Sequence, residues 1–249
     1  MSKAESVALD SIRRSLVVAS YNIHGGFGLD GRRDIGRTSR IINQLGADII
    51  GLQEVECRSN IDSQCHQLAQ LADATGLTAV AGPTIRKRDG HYGNALLTAW
   101  PVLAVRRLDL SVPGREPRGA LDVDLDIQGK TARVIVTHLG LRGAERRHQV
   151  KRLIAALSIE PAGLVIALSD ANEWLPVGRP LRSLHAIFGK THASRTFPSL
   201  FPLLALDRIW VRPKEDLVHI RPHKTSLARI ASDHLPLKAV IDSTRITLD

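Results

Sequence analysis

The sequence predicts a large α/β domain in which two β-sheets pack together and helices lie outside. Two observations carry this expectation. Apolar runs of strand length and apolar stripes of helical period alternate as β-α-β-α, give way to a run of strands, and return as α-β followed by strands. Mixed order of this kind belongs to layered α/β architectures. The 249 residues, 43% hydrophobic and 24% charged, have the size and composition of one large globular domain, which excludes disordered, collagen-like and coiled-coil chains. We expect an N-terminal extension over residues 1–15 and a single domain over 16–249.

The elements follow in order. Leu16–Tyr21 is apolar and β-branched, and Asp48–Leu52 reads as a strand buried on both faces. Between them Thr38, Ile41, Ile42 and Leu45 recur at helical spacing, and Gly46 provides the stop. Cys65, Leu68, Ala69 and Ala72 repeat that pattern, with Asp62 or Ser63 as N-cap and Gly76 as stop. Asn94–Ala99, Ala120–Ile127 and Arg133–Thr137 are the next strands. In Ala120–Ile127, Leu121, Val123, Leu125 and Ile127 alternate with Asp122, Asp124 and Asp126, the period of a half-buried strand. Gln128-Gly129-Lys130 then reads as a hairpin turn. Val150, Leu153, Ile154 and Leu157 form a third helical stripe, whose other face carries Arg146, Arg147, Lys151 and Arg152. Leu164–Leu168, Arg208–Val211 and Pro236–Ile241 complete the strands. Trp174–Leu206, rich in Pro and apolar residues, reads as a long irregular segment and a substrate-selecting rim.

No apolar run approaches the ~18–20 residues of a membrane span. Met1–Arg14 carries five charges and lacks the apolar core of a secretory signal, so a cytoplasmic location is expected. Cys57 and Cys65 are too few for a disulfide framework or a four-ligand zinc site. A single bridge between them is sterically possible, but in a chain without a signal the expectation is reduced thiols. The net charge of +9 favours anionic partners such as nucleic acid, phosphorylated small molecules or anionic lipid head groups. Nine aromatic residues offer few platforms for stacking unpaired bases.

Several strands end in polar residues that a strand terminus does not require. Val17–Tyr21 ends in Asn22-Ile23-His24, Ile49–Leu52 in Gln53-Glu54, Val134–Thr137 in His138, and Leu164–Leu168 in Ser169-Asp170-Ala171-Asn172. Near the C-terminus come Asp207 and the pair Asp233-His234. Each has a plain reading as a cap, a turn or a solvated group. Sheets, however, bring strand ends into one crevice, and carboxylates, amides and imidazoles gathered there are unstable without a cation or an anionic substrate. Carboxylate and amide oxygens suit a hard cation, Mg²⁺ or Mn²⁺, rather than zinc.

In these residues the chain resembles the endonuclease/exonuclease/phosphatase superfamily of DNase I-like fold. The resemblance runs from about Val17 to Ile241, and its style is that of stand-alone bacterial members. It rests on Tyr21–Gly25, Leu52–Val55, Thr137–Leu139, Ser169–Asn172, Leu206–Ile209 and Ser232–Pro236, six short motifs in the family's order. It implies a four-layered α/β sandwich, two packed β-sheets flanked by helices. It also implies a divalent-metal-dependent hydrolase of phosphoester bonds. By position, Glu54 matches the principal metal carboxylate, with Asn22 beside it and Asp233 at the metal or the histidine. Asp170 matches the residue that activates water, Asn172 a phosphate-holding residue, and His234 and His138 the two histidines. Asp207 matches the aspartate that orients a histidine, and Arg118 a basic position near the phosphate. The family commonly has Gly-Asp-Phe-Asn or Gly-Asp-Leu-Asn where this chain has Ser169-Asp170-Ala171-Asn172. His24 stands where members that cut abasic DNA often carry an acidic residue, which disfavours a two-metal, abasic-site reading.

The activity so implied is that of a Mg²⁺- or Mn²⁺-dependent phosphodiesterase or nuclease using in-line attack by water. A phosphomonoesterase or lipid head-group phosphodiesterase is the alternative, and an inactive binding module a third. The partner implied is a phosphoester substrate such as DNA, with no protein partner. Arg142, Arg146, Arg147, Lys151 and Arg152 follow His138; if they border the pocket, they extend its positive field along a polyanion.

Overall fold

The computed structural model describes residues 15–58, 66–88, 90–158 and 163–244. Eleven strands are present among the described residues, in two sheets. The first has the order β10-β11-β1-β2-β4-β3 and the second β5-β6-β7-β8-β9. Their bounds are β1 Ser15–Asn22, β2 Ile49–Arg58, β3 Thr78–Lys87, β4 Gly90–Thr98, β5 Val102–Asp109, β6 Gly119–Ile127, β7 Lys130–His138, β8 Leu164–Asp170, β9 Asp207–Arg212, β10 Leu217–Pro222 and β11 Leu237–Asp242. The helices are α1 Ile35–Leu45, α2 His66–Thr75, α3 Gly143–Leu157, α4 Arg179–Phe188 and the single turn α5 Ala228–Ala231.

The inner faces of the two sheets make the central core. Val18 and Ile49 of one sheet meet Val123, Val134 and Ile166 of the other. At Gly51 the sheets lie so close that an added Cβ would stand 2.8 Å from the Leu168 side chain. Helices α1 and α2 cover the outer face of the first sheet, where Ile41, Ile42, Leu45 and Leu71 pack on Tyr21, Ile50 and Leu52. Helices α3 and α4 cover the second, where Val150, Leu153, Leu184 and Phe188 pack on Ile135, Val165 and Trp210. The expected four-layered sandwich is therefore the observed fold.

Local chemistry explains the element boundaries. Asp34 caps α1 by accepting from the Arg37 N–H at 2.8 Å, and Gly46 ends it in the left-handed region at φ 53°. Gln128 and Gly129 both have positive φ, 56° and 84°, as a two-residue hairpin between β6 and β7 requires. The alternation in β6 holds: Leu121, Val123, Leu125 and Ile127 face the core, and Asp122 and Asp124 face outward onto Arg106 and Arg133.

The structure departs from the sequence reading in several places. Strands β3, β5 and β10 are additional. The segment 174–206 is not wholly irregular, because α4 lies within it; Pro180 occupies its first turn, and Leu181, Leu184 and Phe188 line its buried face. Cys57 is buried and disulfide-bonded, against the reduced thiol expected. That expectation came from compartment alone, whereas Cys57 sits in the apolar layer where α2 packs on β2. Cys65, the residues proposed to cap α2 and the N-terminal extension up to residue 14 lie outside the described residues; Ser15 already belongs to β1. Among the described residues no helix is long and apolar enough to cross a membrane.

Candidate active site

Two parallel pairings set the frame of the site. Strands β1 and β2 run parallel with Asn22 beside Gln53, and β7 and β8 run parallel with His138 beside Asp170. Strand β9 pairs antiparallel with β8 and places Asp207 beside Asp170. The polar strand ends thus meet across the two sheets. Residues Gln53 and Glu54 fall in a register break of β2 between Leu52↔Ala95 and Val55↔Gly93, a bulge in which two residues oppose Asn94. Glu54 consequently has φ 58°, and His24 and Asn172 have φ 48° and 49°. Such backbone costs on the order of 1–3 kcal/mol for a non-glycine residue and persists where the surroundings enforce it.

Asp170 is the hub. Its Oδ2 accepts from Asn22 Nδ2 at 3.0 Å and lies 3.4 Å from His138 Nε2 and 3.6 Å from His234 Nε2. Its Oδ1 accepts from the Asn172 backbone N–H at 3.1 Å. The same Asn22 nitrogen donates to Glu54 Oε1 at 2.9 Å, so one amide holds the two carboxylates together. The Asn22 oxygen is engaged by the His24 backbone N–H at 3.0 Å, which fixes the amide orientation without ambiguity. Asn172 donates its side-chain amide to the Leu139 carbonyl at 2.9 Å and ties the end of β8 to the loop after β7.

Behind His234 lies a second carboxylate. Asp207 Oδ2 is 2.8 Å from His234 Nδ1 and accepts from Thr196 Oγ1 at 2.5 Å. The Phe197 ring packs on the His234 ring at 4.9 Å. Ser232 donates to the Asn22 carbonyl at 2.8 Å and anchors the Asp233-His234 turn to β1. Asp233 lies at the mouth, 3.8 Å from His24 Nδ1.

The two imidazoles are driven in opposite directions. Burial, helped by the charges of Arg118 and His234, pushes His138 down to about 3 against the pull of Asp170. Burial also opposes charge on His234, but Asp207 and Asp170 outweigh it and raise the group to about 10. The two imidazoles that face one Asp170 oxygen are thus biased oppositely, His138 toward its neutral form and His234 toward its protonated form. Tyr92 is held un-ionised by burial and by the Glu54 charge, to which it is hydrogen-bonded. Arg118 is buried, pairs with Glu116 at 3.3 Å and leaves its Nε without a partner. It lines a cleft of about 310 Å³ together with Arg115 and Arg142.

The donor chemistry fits a hard divalent cation. Glu54, Asp170, Asp207 and Asp233 offer carboxylate oxygens, and Asp170, Asp207 and His234 bring ligand-type atoms within 4.8 Å of one another. Within that trio His234 Nδ1 is turned to Asp207, and Asn22 links Asp170 to the further carboxylate of Glu54.

A family model for the endonuclease/exonuclease/phosphatase family matches residues 19–234, most of the chain and every residue of this hub. The chain belongs to that family. The uncharacterised protein YbhP of Escherichia coli K12 is 34% identical over 247 residues that cover 91% of this chain and 96% of YbhP. Solved structures share the fold at lower identity. The mannosyl-6-phosphatase of Bacteroides thetaiotaomicron superposes with a TM-score of 0.71 at 17% identity, over 91% of this chain and 100% of that one. D. rerio TDP2 complexed with a single-strand DNA product superposes with a TM-score of 0.66 at 17% identity, over 91% and 98%. Members of the family are generally phosphoester hydrolases.

The structure brings Asn22, Glu54, His138, Asp170, Asn172, Asp207, Asp233 and His234 to one crevice, with Arg118 and Arg142 beside it. Arg146 does not join the positive extension: it is buried and paired with Glu173. The reason is helical phase, since Arg146 precedes Gln149, Val150 and Leu153 on the inner side of α3 while Arg147, Lys151 and Arg152 are exposed. Residues that sequence reasoning passed over are Thr196, behind Asp207, and Glu173, behind Asn172. Neither carries a spacing signal; Glu173 could have been noticed as the residue following Asn172.

Proposed function

We propose that this chain is a divalent-metal-dependent phosphodiesterase that hydrolyses its substrate by in-line attack of water. The arrangement around Asp170 carries the reading: one carboxylate faces two imidazoles and is bridged by Asn22 to Glu54. Glu54, with Asp170 or Asp233, would hold Mg²⁺ or Mn²⁺. Such an ion, when bound, neutralises phosphate charge and stabilises the leaving oxygen.

The protein's own groups divide the remaining work. Asp170 orients the attacking water and takes its proton. His138, neutral, and His234, protonated and backed by Asp207, donate hydrogen bonds to the non-bridging oxygens as charge builds on them. Asn22 acts as a donor that spaces the two carboxylates. Asn172 anchors the Asp170 turn and presents its remaining polar edge to the phosphate. Arg118 and Arg142 bind the substrate beside the reacting group.

The test is hydrolysis of bis(p-nitrophenyl) phosphate and p-nitrophenyl phosphate with Mg²⁺, with Mn²⁺ and with EDTA. Metal-dependent turnover of the diester, lost in Asp170→Asn, is expected. Turnover of the monoester alone would move the protein to phosphatase chemistry, and none on either ester, with metal bound, would leave a binding module.

A further inference from the structure

The loops that carry the site residues also carry most of the exposed apolar surface. Nine of the twelve large hydrophobic side chains exposed among the described residues belong to them. Trp174, Leu175 and Val177 follow Asn172 and Glu173, with Trp174 65% and Val177 76% exposed, and Leu141 lies just beyond His138. Leu200, Phe201 and Leu203 lie between Phe197, which packs on His234, and Asp207; Phe201 is 77% exposed.

These tips adjoin further exposed apolar residues across the mouth. The Leu29 N–H donates to the Ile230 carbonyl at 2.9 Å, and Arg229 donates to the Leu200 carbonyl at 2.6 Å. Ser199 donates to the Arg229 and Ser232 carbonyls at 2.9 and 2.7 Å. Leu29, Ile230, Leu200 and Phe201 therefore form one apolar margin on the Asp233-His234 side, and Trp174, Leu175 and Val177 form another on the Asn172 side. Exposed apolar surface of this extent marks a docking surface rather than ordinary solvent exposure.

Charge identifies what docks. The carboxylates of the same loops are paired: Asp30, itself exposed, with Arg37 at 2.8 Å, Glu173 with buried Arg146 at 3.1 Å, and Asp233 with His24 at 3.8 Å. The cations are left outward: Arg32, Arg142, Arg195 and Lys224 are exposed. Separate apolar tips, one of them Trp, interleaved with Arg and Lys match a lipid–water interface with anionic head groups, and the chain's net charge of +9 has the matching sign. The burial of Arg146 removes one of the cations expected to extend the site along an oligonucleotide, while Arg147, Lys151 and Arg152 stay exposed on the helix.

We propose that this rim seats the protein on an anionic lipid surface and that its substrate is the phosphodiester of a membrane lipid head group. The substrate assignment rests on the hydrolase reading above; the docking assignment does not. The test is co-sedimentation with phosphatidylcholine vesicles, with and without phosphatidylglycerol, run in EDTA so that binding is read apart from turnover. Wild type should bind the phosphatidylglycerol vesicles and release them as salt rises. Trp174→Ser/Phe201→Ser, which alters only exposed tips, should bind at least roughly tenfold more weakly. The same variant should lose turnover of vesicle-borne phosphatidylglycerol by a larger factor than turnover of bis(p-nitrophenyl) phosphate. Absence of vesicle binding by wild type, or equal binding by the variant, overturns the proposal, as does tight binding of a fluorescent oligonucleotide with none to vesicles. Rim-dependent vesicle binding without hydrolysis of any phosphoester overturns the hydrolase reading and the lipid substrate together and leaves the docking surface standing.

Discussion

Arg146 and Glu173 form a buried ion pair, Nη2 to Oε2 at 3.1 Å, that ties helix α3 to the loop leaving the reactive end of β8. Arg146 also donates to the carbonyls of Gly140 and Leu141 at 3.1 and 2.7 Å, and Gln149 accepts from the Gly140 N–H at 2.8 Å. The loop so fixed supplies the Leu139 carbonyl to which Asn172 is bonded. The pair therefore stands one step behind the phosphate-facing turn.

Its removal should read first as a loss of stability. Glu173→Gln or Arg146→Gln strands a charge in a buried place, at a cost of about 3–5 kcal/mol. Urea unfolding should show that loss, while Arg147→Gln, one residue along on the exposed face, stays within about 0.5 kcal/mol of wild type. If the two arginine variants unfold alike, the pair has no such role.

The metal site should depend on Glu54. Glu54→Gln keeps the hydrogen bond from Asn22 but replaces an anionic ligand with an amide, which binds a hard cation less well. Calorimetry should show weakened Mn²⁺ binding, and hydrolysis should need more metal to reach its maximum. An unchanged metal titration would move the ion to the Asp170, Asp207 and His234 group.

Much of this was legible in the sequence where a residue obeys one period. The buried strands β1, β7 and β8 declare themselves by uninterrupted apolar runs, and β6 by its alternation with aspartates. Strand β3 hides because Gly82 and Pro83 interrupt it; the structure accommodates them at a register shift between Pro83 and Ile85. Strand β5 hides because it is an edge strand with every second residue exposed, including Leu103 and Val105 on the solvent side. Helix α4 carried a readable stripe, Leu181, Leu184 and Phe188, masked by the prolines around it. In the site, the strand ends were visible because polar residues there lack a structural need. The partners Thr196 and Glu173 were not, since tertiary packing alone brings them to Asp207 and Arg146.

The Asp207–His234 pair should matter for turnover more than for folding. Asp207→Asn keeps the shape and an acceptor for Thr196 but removes the charge that supports a protonated His234. Hydrolysis should fall about 10²–10³-fold, the scale of losing one charge-stabilising donor. Thr196→Val, which leaves the Asp207 charge in place, should cost far less. Equal losses in steady-state kinetics would mean that packing behind the histidine, and not its charge, is what Asp207 provides.

A last prediction lies away from the site and concerns acid. Asp122 on the outer face of β6 accepts from Arg133 at 2.6 and 2.9 Å and from Arg106 at 3.0 and 3.2 Å. Burial raises its carboxyl, but the two guanidinium groups prevail and hold it below the usual carboxylate range. A carboxyl depressed on folding contributes stability in full above its unfolded value of ~3.9, and that contribution is lost as pH falls through the lower folded value. Asp122→Asn removes the carboxylate that both Arg133 and Arg106 address in this buried network. The variant should be about 3 kcal/mol less stable near neutrality, in the range of a broken buried pair. The gap between variant and wild type should close on titration below pH ~4, where wild type protonates too. Turnover of a small diester at neutral pH should be unaffected, because the network touches no residue of the hub. Thermal unfolding of both proteins across that range decides the matter: curves that stay parallel into acid would show that Asp122 contributes shape and packing, with no share from its charge.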